Sequence, residues 1–160
     1  MAGINDIMQD VESDDVYYEE TKEKKLIPGT YEATIVRLKR RLNIKTKKGH
    51  LCDIYWPRYQ INEDSPKCSG LLVRDNGQWR YRSKEVQQRN VYYKKFLDKL
   101  EISLTKTDTD GNIRYSLPSL SEDMIIGKQV LINTYIEEWT DSYGFKRESV
   151  AKLISLIKDA

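Results

Sequence analysis

Residues 70–101, GLLVRDNGQWRYRSKEVQQRNVYYKKFLDKLE, decide the fold. The first half, GLLVRD-NG-QWRYRS, reads as a β-hairpin, because Asn76-Gly77 between two β-prone runs is the strongest short-range signal for a two-residue type I′ turn. That turn sets Arg74 opposite Trp79 and Leu72 opposite Tyr81 on one face, with Val73/Arg80 and Leu71/Arg82 on the other. From residue 84 the period changes. Val86, Tyr93, Phe96, Leu97 and Leu100 recur at three- and four-residue spacing, which predicts one amphipathic helix over 84–101 with Ser83 as its N-cap.

Working outward, Pro28-Gly29 opens the folded domain and TYEATIVRLK (30–39) predicts a strand, with Thr34, Val36 and Leu38 on one face and Ile35, Arg37 and Lys39 on the other. RRLNIKTKKGH (40–50) reads as a basic turn, residues 51–59 as a second strand, and INEDSPKCSG (61–70) as a loop. Beyond the helix come a polar stretch, TKTDTDGN, a break at Pro118, and a short helical turn in SEDMIIGK. Two last strands, 128–139 and 145–153, flank TDSYG, and pairing Trp139 with Phe145 sets Glu138 against Lys146 and Glu137 against Arg147. Val130, Ile132, Thr134, Ile136 and Val150 then face the core, leaving Tyr135 and Trp139 outside. A helix between the third and fourth strand regions of a small antiparallel sheet is the wiring of an OB-fold barrel. The fold expected is therefore mainly β, an OB-fold-like antiparallel barrel with one helix. The rival is an open sheet with a helix packed on it.

Charge divides the chain in two. Residues 1–27 carry eight acidic side chains against three lysines, a net −5, which leaves 24 basic and 17 acidic residues, a net +7, for residues 28–160. The first segment is too charged and too poor in aliphatics to fold alone, and reads as a flexible acidic arm. The second is a basic domain whose summed field attracts polyanions.

The aromatic residues sharpen that. Eleven are Tyr, three Trp and two Phe, and many stand beside Arg or Lys. Phe is what a core would choose, whereas amphipathic rings interleaved with cations suit stacking on unpaired bases with phosphates held between. The candidate contacts are Arg37, Lys39, Arg41, Lys45, Lys47 and Lys48, from a run of seven cations in twelve residues with no acid among them. Arg58, Arg74, Arg80, Arg82 and Arg147 add further cations, and Trp79, Tyr81, Tyr135 and Trp139 further rings. Tyr55 and Tyr59 read as the exposed rings of the second strand; Trp56 shares a face with Cys52 and Ile54 and reads first as core, yet stays among the candidates.

Catalysis finds few parts. His50 is the single histidine, so no dyad has a spare base, and His50-x-Cys52 with distant Cys68 does not make a structural zinc set. Asp108-x-Asp110-Gly111 has the start of a calcium loop without its remaining ligands. No enzyme, cofactor or metal is expected. The two cysteines do not make a disulfide framework, no apolar run approaches the ~18 residues of a membrane span, and the first residues lack the pattern of a secretory signal.

LIPGTYEATIVRLKRR (26–41), GHLCDIYW (49–56), FLDKLEI (96–102) and MIIGKQVLINTYIEE (124–138) together resemble phage single-stranded-DNA-binding proteins of the OB-fold type, over about residues 26–155. The resemblance implies a protein of the host bacterium's cytoplasm that coats single-stranded DNA, or RNA, in replication or recombination. The acidic arm, by its charge, would either cover the basic surface or recruit replication or recombination proteins. The segment bearing Trp79 and Tyr81 has no match in that family, and the best-known bacterial binders carry their acidic tail at the other end. A protein-interaction or virion structural domain on a similar barrel is the alternative.

Overall fold

The alternating residues after Pro28 form a 17-residue strand, β1 (Gly29–Lys45). In the computed structural model, which describes residues 15–18 and 25–157, Tyr31, Ala33 and Ile35 of this strand are buried. A bulge between the pairs Ile35↔Tyr59 and Arg37↔Arg58 then shifts the phase, so that Leu38 packs on the core and Arg37 stays outside. The basic stretch after Lys39 is strand rather than turn. It continues pairing with β2 (Leu51–Ile61) as far as Lys45↔Leu51, and the chain reverses within residues 46–50.

The Asn-Gly pair does not make a hairpin. β3 (Leu72–Asp75) and β4 (Gln78–Tyr81) both run antiparallel to β2, one after the other, from Gln60↔Leu72 to Cys52↔Tyr81. Between Arg58↔Arg74 and Tyr55↔Gln78, residues 75–77 oppose only Trp56 and Pro57, which is a bulge in one long strand. The cause is local. Pro57 has no N–H for the ladder, Gly77 takes φ +104°, and the Asp75 carboxylate accepts the Gly77 N–H at 2.8 Å and Gln78 Nε2 at 2.9 Å.

The barrel closes through β7 (Gln129–Asp141) and β8 (Gly144–Leu156). β1 pairs with both β2 and β7, β7 with β8, and β8 lies parallel to β3, which returns to β2. Five strands so joined, with the helical segment between β4 and the later strands, make a closed OB-like barrel.

That helical segment is split. Lys84–Asn90 is a 3₁₀ helix and α1 spans Val91–Lys99. Ser83 does not cap it, since its Oγ instead accepts the Leu51 N–H at 2.7 Å, and the Asn90 side chain bonds both backbone groups of Tyr81 at 2.6 and 2.8 Å. The apolar spacing nonetheless holds, and Val86, Tyr93, Phe96, Leu97 and Leu100 are all buried. The polar stretch after it is a hairpin, β5 (Thr105–Thr109) and β6 (Asn112–Ser116), exposed at every residue. A short α2 (Glu122–Ile125) follows.

In the last hairpin Val130, Ile132, Thr134 and Val150 are buried as expected. Its register differs by one residue: Trp139 faces Lys146, Glu138 faces Arg147, and Glu137 faces Glu148. Shortening the turn to Ser142-Tyr143 gives Glu138 and Arg147 a 3.0 Å ion pair.

The core is built on tyrosines. Tyr31, Tyr55, Tyr59 and Tyr93 are buried, and each hydroxyl has a partner: Ile27 O, Ser119 Oγ (2.8 Å), Asp75 Oδ2 (2.6 Å) and Pro118 O (2.6 Å). Tyr55 also stacks on Tyr93 with ring centroids 5.7 Å apart. Residues 25–27 lie against the barrel through Leu26 and the Ile27 backbone; of the acidic arm's remaining residues only 15–18 are described, and its charge reading lies outside the described residues.

Candidate nucleic-acid interface

Directly paired residues of an antiparallel ladder share a face. The register therefore places Arg37 with Arg58 and Arg74, Lys39 with Trp56, Arg41 with Ile54 and Trp79, and Cys52 with Tyr81, all on the outer face of the sheet, where Cys52 and Ile54 are nonetheless buried. Arg37, Lys39, Arg41 and Arg58 are exposed, and Trp56 is half-buried. Trp79 is 42% exposed and stacks on Tyr81 at 6.1 Å between centroids, the planes 21° apart. Trp56, Trp79 and Tyr81 thus form a row of rings, flanked by a row of β1 cations. A cleft of about 740 Å³ is lined by Arg37, Lys39, Trp56, Arg58 and Arg74 together with Glu122 and Glu148.

Other candidates are placed differently. Tyr55 and Tyr59 are fully buried, because their parity on β2 is the inward one, and they cannot meet a base. Arg80 is not outward either. Its Nη1 donates to Asp53 Oδ2 at 2.9 Å and its Nε to Leu117 O at 2.9 Å. Asp53, itself buried, also accepts the Asn43 N–H at 2.9 Å, so it ties a second β1 irregularity, between Arg41 and Ile44, to β4. Arg82 reaches Asn43 Oδ1 and lies 3.8 Å from Asp53. Arg74 is neutralised by a two-toothed pair with Glu148 at 2.7 and 3.0 Å, with Glu137 at 3.6 Å, and these acids hold its guanidinium in the charged form. That pair also relieves the Glu137–Glu148 juxtaposition that the actual register creates.

Lys45, Lys47 and Lys48 stand exposed around the β1–β2 turn. Tyr135 is half-buried and its hydroxyl accepts from Asn76 Nδ2 at 3.3 Å; Trp139 (40% exposed) and Arg147 lie out along the β7–β8 hairpin. The sequence reading missed Asp53 and Asp75, the two buried carboxylates that organise the face. A carboxylate inside the β-prone run Cys52-Asp53-Ile54 was the available signal. Burial pushes the Asp75 carboxyl up to about 6, against the lowering effect of its hydrogen bonds from Tyr59, Gln78 and Gly77.

Among the described residues no three His, Cys, Asp or Glu side chains gather to hold a metal ion. The chain matches no protein-family model and no curated protein.

Proposed function

We propose that this barrel binds single-stranded DNA, largely without regard to sequence, across the outer face of β1, β2 and β4. Bases stack on Trp56, Trp79 and Tyr81, while Arg37, Lys39, Arg41 and Arg58 neutralise the phosphates. The observation that carries the reading is the register, which lines three rings and four exposed cations on one surface. The OB-like barrel supports it, since the faces of strands two and three are where such barrels take oligonucleotides. So does the resemblance of residues 26–155 to phage single-strand binders, from which a role in replication or recombination in the host cytoplasm is proposed. The acidic arm then serves to recruit partner proteins.

Titrating intrinsic Trp fluorescence with oligo-dT at two salt concentrations tests this. Binding should quench Trp56 and Trp79, exceed duplex affinity, and show a log–log salt slope of about −3 for four to five neutralised phosphates. Equal affinity for duplex, or no salt dependence, defeats the reading; a parallel titration with oligo-rU separates DNA from RNA. A second reading, a protein-docking barrel, rests on Tyr143 (88% exposed) and Phe145 (61%) at the tip of the β7–β8 hairpin. It gives no salt-sensitive quenching with any oligonucleotide.

A further inference from the structure

Where β4 parts from β8, α1 bridges the gap and leaves a groove of about 580 Å³. Arg89, Lys95, Lys99 and Lys152 line it together with Trp79, Tyr81 and Tyr92, and among the described residues no carboxylate does. Four cations with no carboxylate among the described lining residues set it apart from the outer cleft, whose lining includes Glu122 and Glu148. The helix builds this stripe by spacing, since Arg89, Tyr92, Lys95 and Lys99 fall three to four residues apart. Arg89, Tyr92, Lys95 and Lys152 are exposed, whereas Lys99 is fixed by its hydrogen bond to Leu153 O at 3.2 Å. Two of the cations rest on ring faces, Arg89 over Tyr81 and Lys95 over Tyr92, each 5.8 Å from the centroid.

The groove meets the outer face at one place. β4 is the free edge of the sheet, and its Trp79 and Tyr81 belong both to the row of rings and to the groove lining. Gly77, whose α-carbon abuts Trp56, lines the same groove. We infer that this groove is a second track for the same single strand. The strand crosses the β4 edge over Trp79 and Tyr81 and lays its following phosphates along Arg89, Lys95 and Lys152, with Tyr92 offering another stacking ring. This rests on the outer-face reading and extends it, because it makes affinity depend on strand length.

The test compares oligo-dT of roughly five and roughly fifteen nucleotides, lengths within the span of site sizes known for such barrels. The full chain is titrated beside a variant carrying Arg89→Ala, Lys95→Ala and Lys152→Ala. All three side chains are exposed, and an unchanged melting temperature verifies the fold; the charge-keeping set Arg89→Lys, Lys95→Arg and Lys152→Arg should restore binding. The variant should bind the long oligonucleotide about tenfold or more weakly, with a salt slope shallower by about 2, and the short one within about twofold of the parent. Equal loss at both lengths would reduce the groove to part of the general field, and no loss at either would remove it from the site; both overturn the inference. Tighter binding by the variant would assign the groove to an acidic segment of protein instead, which also overturns it. If the parent chain binds neither length, it is the outer-face reading that fails.

Discussion

The indole of Trp56 lies against the α-carbon of Gly77, so close that a Cβ there would stand 3.1 Å from Nε1. Trp56 supplies a half-buried ring of the binding face, and Gly77 belongs to the bulge beside it. Gly77→Ala would meet both a φ of +104°, strained for any L side chain, and the indole. The expected loss is about 1–3 kcal/mol of stability. A shifted Trp emission maximum in the folded variant would report the displaced ring; unchanged stability and emission would show that Trp56 moves aside freely.

Arg80 is a structural cation and should behave as one. Removing it leaves Asp53, 4% exposed at its side chain, without its principal counter-charge. Arg80 itself is about a quarter exposed, which moderates the cost. Arg80→Ala should therefore destabilise the chain by roughly 2–3 kcal/mol, read as a lower urea midpoint. The salt slope of binding in the folded variant should stay that of the parent. A shallower slope without loss of stability would return Arg80 to the ligand.

The sequence carried the architecture further than the site. Element order and the buried spacing Val86–Tyr93–Phe96–Leu97–Leu100 were enough to expect an OB-like barrel with its helix, because burial imposes periodicity. Asn76-Gly77 misled, since the same φ > 0 that suits a hairpin turn also suits a bulge, and the deciding partner, Pro57, lies on another strand. Tyr55 and Tyr59 misled for a related reason. A buried tyrosine needs a hydrogen-bond partner, and Ser119 and Asp75 are remote in sequence. The bulge after Ile35 shifted the phase of β1 in a way no alternation reveals, yet it leaves Arg37 and Lys39 outside. β5–β6 has no buried face, and so wrote no pattern at all.

Asp75 should make stability fall with rising pH. Its folded carboxyl is pushed up to about 6 while the unfolded one keeps the ordinary carboxyl value of 3.8, so the native state binds more protons between these limits. Stability attributable to this group is present below about pH 4 and is lost as pH rises toward 6, by on the order of 2–3 kcal/mol. Urea midpoints of the parent and of Asp75→Asn, compared at pH 4.5 and 7, isolate the term from other carboxylates. The parent should lose more between the two pH values than the variant. Identical losses would mean that Arg74 and the bonds from Tyr59, Gln78 and Gly77 keep the carboxyl ionised throughout.

Rings and cations of the outer face should separate in a salt titration. Trp79 is 42% exposed and its removal opens no cavity in the tyrosine core, so Trp79→Ala should fold normally. It should weaken oligo-dT binding by about 1–3 kcal/mol and leave the log–log salt slope unchanged, the mark of a lost base stack. Arg37→Ala or Lys39→Ala should weaken binding less at moderate salt, yet flatten the slope by about 0.7, because one fewer counterion is released from a single strand. Tyr55→Phe serves as the internal comparison: losing its hydrogen bond to Ser119 should cost about 1 kcal/mol of stability and nothing in affinity. If Trp79 and the two cations all changed affinity and slope alike, the face would be acting as a featureless positive surface. The register that aligns Lys39 with Trp56, and Arg41 with Ile54 and Trp79, would then have no part in recognition.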